Sequence, residues 1–271
     1  MTDAADSKYL MVELEVRAAD REPFEKLMCA LLPELFENGQ DARALNWRLL
    51  TALRALPNLD GRTGEEPSLL RYIHLWQLPI RTNLSEAMLI LGRNRSYHEL
   101  NQLNVSETQD FFTAAVTYAP REVSDPKTRR GRDALCLGAG TTAVVETIDV
   151  PANWFALHSW QEAMPPLAAE VAASGYMFLA FAMQAESGRL RRYVNFWRPL
   201  DPAAEPTEAE ARNNVTQREI AMLKIAARDP RHANTKQVAA SDTPYVRVPY
   251  ESVVSSGFRI YKEVDYRTAS T

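Results

Sequence analysis

The chain has 271 residues, with 31 Lys and Arg against 35 Asp and Glu, a formal net charge of −4. That balance excludes a strongly basic nucleic-acid coat and offers no pull toward an anionic membrane. Apolar residues at 46% and charged residues at 24% are ordinary for a soluble globular protein with room for one large or two small cores. Cys29 and Cys136 are the only cysteines, too few for a disulfide framework and suited to a reducing compartment. The longest apolar run, Tyr176 to Met183, falls short of the ~18–20 residues of a membrane span. The opening MTDAADSKYL has no signal-peptide core. The expectation is a cytoplasmic protein with neither a membrane nor a nucleic acid as partner.

Met11 to Val16 (MVELEV) reads as a first strand, and the stretch ending Leu31 to Gly39 as a helix closed by Gly. Trp47 to Ala55 and Arg71 to Trp76 read as two further strands around a turn at Asp60-Gly61. Leu84 to Asn104 has helical character, interrupted near Gly92-Arg93-Asn94. Ser106-Glu107-Thr108-Gln109 reads as a fresh helix cap. A closing strand is expected at Ala134–Leu137.

The pattern then returns. Arg71-Tyr72-Ile73-His74-Leu75-Trp76 reappears 121 residues later as Arg192-Tyr193-Val194-Asn195-Phe196-Trp197. Val145 to Val150 answers Met11 to Val16, Pro166 to Gly175 answers the first helix end, and Met177 to Ala185 answers Trp47 to Ala55. Thr207 to Arg228 supplies the second long helix and Tyr245–Val248 a closing strand, with Phe258 to Val264 as one extra strand. Each copy has the order βαββαβ. The expected class is α+β: two tandem ferredoxin-like repeats, 1–126 and 127–271, packed sheet to sheet as an intramolecular α/β barrel. The polar stretch Asp125–Asp133 marks the boundary.

Strand alternation sorts the candidate site residues. Ile73 and Leu75 are expected to pack on the helices, which turns Tyr72, His74 and Trp76 toward the space between the sheets. Tyr193, Asn195 and Trp197 follow in the second copy. Large amphipathic rings around one polar group compose a small-molecule pocket. The same alternation turns Leu10, Val12 and Leu14 to the helices and Met11, Glu13 and Glu15 inward, so Glu13 or Glu15 is expected near His74 or Tyr72. A carboxylate beside a histidine in an apolar cavity makes an acid/base pair. Arg48, Tyr72, Tyr193 and Asn195 would then orient polar substrate groups, and Trp47, Trp76 and Trp197 would shape the cavity. The competing reading makes His74 a hydrogen-bonded sheet residue and the rings ordinary packing.

Other motifs carry less. Gly138-Ala139-Gly140-Thr141-Thr142-Ala143 fits a dinucleotide fingerprint on paper, but Ala143 to Val150 reads as a strand where that motif needs a helix. No metal-ligand spacing exists among two Cys and four His. A lone axial haem ligand among His98, His158 or His232 is the one cofactor alternative; otherwise no cofactor and no metal is expected.

The strand Tyr72-Ile73-His74-Leu75-Trp76 resembles that of NIPSNAP-type proteins of the dimeric α/β-barrel superfamily, which also holds antibiotic-biosynthesis monooxygenases. The second copy departs from it at Asn195-Phe196-Trp197. The resemblance implies a barrel-like pocket between two sheets and does not fix a reaction, since the superfamily spans oxygenases, isomerases, lyases, haem enzymes and non-enzymatic binders. The favoured expectation is a cofactor-independent oxygenase of secondary metabolism acting on an apolar or aromatic metabolite. An isomerase, cyclase or lyase would use the same His74 chemistry, and a non-catalytic NIPSNAP-like binding protein is the alternative. Such a tandem chain is expected as a monomer or homodimer.

Overall fold

The computed structural model describes residues 7–37, 45–56, 68–114, 138–154, 177–199 and 255–266, together with 135, 157, 160, 161, 164, 165, 168, 169 and 172. The chain divides into two compact units. The first takes Met1–Ala114, Gly138–Gly140 and Tyr261–Thr271; the second takes Ala115–Leu137 and Thr141–Ile260. The expected repeat boundary at 126/127, the helix Thr207–Arg228 and the strand Tyr245–Val248 lie outside the described residues.

In the first unit, β1 (Ser7–Arg17) leads into α1 (Arg21–Leu31), which widens into a π-helical turn at Leu32–Glu37. Phe24, Met28, Leu31 and Leu35 recur at helical spacing and are all buried. They cover a sheet made of β2 (Arg48–Ala55), β3 (Leu69–Pro79) and β4 (Asn104–Ala114) with β1, in the antiparallel order β4-β1-β3-β2. Each large side chain so enclosed adds about 1.5–3 kcal/mol of burial. Between β3 and β4 stand α2 (Leu84–Arg93) and α3 (Arg95–Leu103). The expected interruption near Gly92 to Asn94 is the junction between them. Asn94 ends α2, and its Oδ1 accepts from the Tyr97 amide at 2.9 Å to open α3.

The fourth strand departs from expectation. Ser106 to Gln109 is not a helix cap but the middle of β4, paired with β1 from Val16↔Asn104 to Tyr9↔Phe112. From Val105 to Thr113 only Phe112 is buried and Asp110 half-buried, so no apolar alternation announces the strand. Backbone pairing along the open side of β1 wins over the local capping pattern. Of the expected closing strand Ala134–Leu137, Leu135 alone is described, and it lies in a turn.

The turn at Gly138 to Gly140 belongs to the first unit, and the chain then enters β5 (Thr142–Pro151) of the second. Gly138 and Gly140 have φ of 112° and 81°, left-handed values that suit glycine. The chain continues into a strand here, so the dinucleotide reading fails as expected. Positions described between 154 and 172 are helical, and Trp160, Met164 and Ala168 form their buried stripe. β6 (Met177–Ser187) and β7 (Leu190–Pro199) form a hairpin turning at Gly188 (φ 60°). The order is β8-β5-β7-β6, with β8 at Ser255–Glu263. The stretch Phe258 to Val264, expected as an extra strand, thus stands beside the first strand of its copy, where a ferredoxin-like repeat keeps its fourth. The last three residues of β8 belong to the first unit and pair with Leu53–Ala55 of β2. Both copies show the α+β class and the doubled ferredoxin-like order. No helix among the described residues is long and apolar enough to cross a membrane.

Candidate functional site

The register of β1 on β3 decides which side chains meet. Leu10 faces Trp76, Val12 faces His74 and Leu14 faces Tyr72. Residues directly opposite in an antiparallel pair lie on one face of the sheet. Tyr72, His74 and Trp76 therefore share the α1 side with Leu10, Val12 and Leu14. This reverses the expected assignment of Ile73 and Leu75 to the helices. The Phe24 ring of α1 lies 4.9 Å from Tyr72 and 6.2 Å from His74.

The same register separates the expected acid/base pair. Glu13 faces Ile73 and is exposed, while Glu15 faces Arg71. The Glu15 carboxylate takes Arg71 Nε at 2.6 Å and the Ser106 hydroxyl at 2.9 Å. Neither carboxylate is brought to His74. Arg48 is exposed at the start of β2, opposite Gln77, and does not join the group either.

His74 instead pairs with a residue that the sequence reading missed. Its Nε2 lies 2.8 Å from the Tyr266 hydroxyl, just beyond β8. His74 is 3% exposed and Tyr266 2%. Burial holds the His74 imidazole far below its ordinary value, at about 3. Burial first, and then electrostatic coupling to the Tyr72 phenol and the Glu25 carboxylate, pushes the Tyr266 phenol well above its ordinary value. Both groups are thus neutral, with one hydrogen between Nε2 and Oη. Tyr266 meets the imidazole edge-on at 5.5 Å, and Trp76 stands 6.5 Å away.

Beside Phe24 on α1, Glu25 Oε1 gathers three donors. They are Arg54 Nη1 at 2.7 Å, the Tyr72 hydroxyl at 3.0 Å and Arg21 Nε at 3.2 Å. Burial, then the neighbouring Glu25 charge, raises the Tyr72 phenol above its ordinary value. The shell is completed by Phe36, whose ring is 4.5 Å from Trp76 and 6.3 Å from Trp47. Trp47 Nε1 is buried with no hydrogen-bond partner among the described residues.

In the second unit, Tyr193 packs against Trp160 at 5.8 Å, so Tyr193, Asn195 and Trp197 also lie on the helix side. Glu146 faces Asn195 in the register. Its Oε2 accepts from Trp197 Nε1 at 3.0 Å and Asn195 Nδ2 at 3.3 Å. Glu146 is 4% exposed. A glutamate in an otherwise apolar row with Val144 and Ile148 was the legible sign of it.

Among the described residues no group of three or more His, Cys, Asp or Glu stands together for a metal. His98 is exposed, with Nε2 2.7 Å from the Gly92 carbonyl. His158 and His232 lie outside the described residues.

No protein-family model matches the chain, and no curated protein matches it. Solved structures do. An anthrone oxidase-like protein is 9% identical, covering 97% of this chain and 94% of its own, with a TM-score of 0.50. A candidate monooxygenase from Fusobacterium nucleatum is 7% identical over 96% of this chain and 93% of its own, TM-score 0.48. A mutant chlorite dismutase from Candidatus Nitrospira defluvii is 10% identical over 98% and 94%, TM-score 0.44. At such identities the likeness is one of fold, and the chain shares its ferredoxin-like α+β fold with the anthrone oxidase-like protein.

Proposed function

We propose that the protein is a small-molecule tailoring enzyme of secondary metabolism, acting on an apolar or aromatic metabolite as a cofactor-independent oxygenase. The observation that carries this reading is the His74–Tyr266 hydrogen bond, held at 2.8 Å inside a shell of Phe24, Tyr72 and Trp76 rings. The description of one fold neighbour as an anthrone oxidase-like protein supports the reaction class.

A neutral imidazole is the form that accepts a proton. His74 takes one from an acidic C–H beside a carbonyl, and the substrate becomes an electron-rich enolate. Tyr266 accepts a hydrogen bond from the imidazolium so formed. Burial disfavours that charge strongly, so the enolate must stay beside it as counter-ion. For an anthrone, dioxygen then adds at the deprotonated carbon, and loss of water leaves the quinone. One anthrone and one dioxygen give one anthraquinone and one water. Glu25 acts at a distance, fixing Tyr72 in the wall. The same pair would serve an isomerase, cyclase or lyase that begins with the same proton transfer.

A second reading is a NIPSNAP-like binding protein without turnover. It is favoured by the closure of rings around His74 and by a cleft elsewhere in the first unit that His74 does not line. Oxygen uptake with anthrone as probe decides between the two. The enzyme reading expects uptake above autoxidation, quinone as product, and loss of about a hundredfold or more in His74→Ala with the melting curve retained. Uptake no faster than without protein leaves the binding reading standing.

A further inference from the structure

A cleft of about 340 Å³ opens between the end of β3 and the start of α2, away from His74. Its size lies within the range of small-ligand pockets. Leu45, Ala87 and Ile90 give it an apolar floor, and Arg81 and Glu86 line it with opposite charges. The two charges are not spent on each other, and neither has an ion-pair partner among the described residues. Two further polar groups of the wall are committed. The Thr82 hydroxyl donates to the Pro79 carbonyl at 2.7 Å, and Asn83 Oδ1 accepts from the Glu86 amide at 3.3 Å. Asn46 also lines the cleft, with a φ of 48° that asparagine adopts more readily than most residues.

We propose that this cleft binds a small zwitterion with an apolar body, of which an aliphatic α-amino acid is the simplest case. Arg81 holds the carboxylate through its planar fork, Glu86 holds the ammonium, and the side chain rests on Leu45, Ala87 and Ile90. Unpaired opposite charges over an apolar floor match that ligand, whereas a plain anion would be opposed by Glu86 and a plain cation by Arg81. The site stands apart from His74 and does not depend on the proposed reaction.

Calorimetric titration with L-leucine tests it, alongside 4-methylpentanoate and 3-methylbutylamine, which each keep one charge. Leucine is expected to bind saturably, with both truncated probes about tenfold weaker or more. Arg81→Gln and Glu86→Gln are each expected to weaken leucine by about tenfold. Both side chains are exposed, so the variants keep the fold, which a melting curve verifies. No saturable heat up to about 10 mM leucine would overturn the proposal. So would a truncated probe that binds as well as leucine, or two variants that bind as the parent does.

Discussion

Val12 and His74 face each other across the β1–β3 pair. That pairing seats the imidazole among aliphatic and aromatic side chains beneath α1, and its polar partner arrives from Tyr266, 192 residues away in the chain. The matching place in the second unit is filled the other way: Glu146 opposes Asn195, and the polar pair is made within the sheet itself.

Burial of His74 makes stability depend on pH. Its folded value of about 3 lies below the unfolded value near 6.5, so between the two the unfolded chain binds a proton that the folded chain refuses. This contribution is whole above about pH 6.5 and is lost as pH falls toward about 3, with a slope near 1.4 kcal/mol per pH unit. His74→Asn, which copies Asn195, should remove that slope. Urea midpoints of both proteins at about pH 7.5, 6 and 5 check it, and equal pH slopes would refute it.

Tyr266→Phe removes one hydroxyl and leaves His74 Nε2 buried without its partner. A loss of about 1–3 kcal/mol in urea unfolding is expected. A change within error would mean that a rearranged neighbour or water replaces the phenol.

Glu146→Ala strands both Trp197 Nε1 and Asn195 Nδ2 in the interior. The expected cost is about 2–4 kcal/mol, with Glu146→Gln costing about half, since its amide oxygen still accepts. Denaturation of the two variants side by side checks this. Equal losses would show that the two hydrogen bonds do not set the role of Glu146.

Asn94→Ala removes the acceptor for the Tyr97 amide and the donor to Glu34 Oε1, 2.8 Å away. About 1 kcal/mol should be lost, and Asn94→Ser should retain much of it by keeping a capping oxygen without a second carboxylate beside Glu34. Thermal or urea unfolding of the pair reads the difference.

The repeat made the order of elements legible. Strands 71–76 and 192–197 announced themselves by their recurrence, and the break near Asn94 by its Gly-Arg-Asn composition. The face of β3 was not legible, because every residue from Tyr72 to Leu78 is buried. Alternation then gives two sets without saying which meets the helix. Only pairing with β1 decides it, and Leu10, Val12 and Leu14 were already assigned to the helix side. β4 hid because its side chains are mostly solvated, so no period of two was selected. Tyr266 hid because nothing near it in sequence requires a histidine. Glu146 was visible in principle: a shift of 134 residues lays it on Val12, a charge in an apolar row.

The closing stretch of β8 and the turn after it are bound into the first unit at several points. The Val264 amide donates to the Ala52 carbonyl at 2.8 Å, the Thr51 hydroxyl to Glu263 at 3.2 Å, and Tyr266 reaches His74. During synthesis, then, the amino-terminal core waits with an unfilled place until residue 266 has left the ribosome. Long-separation contacts of this kind slow folding and leave apolar surface open in the interval. A nascent chain stalled before residue 261 would present the His74 neighbourhood to chaperones, whereas one released beyond residue 266 would not.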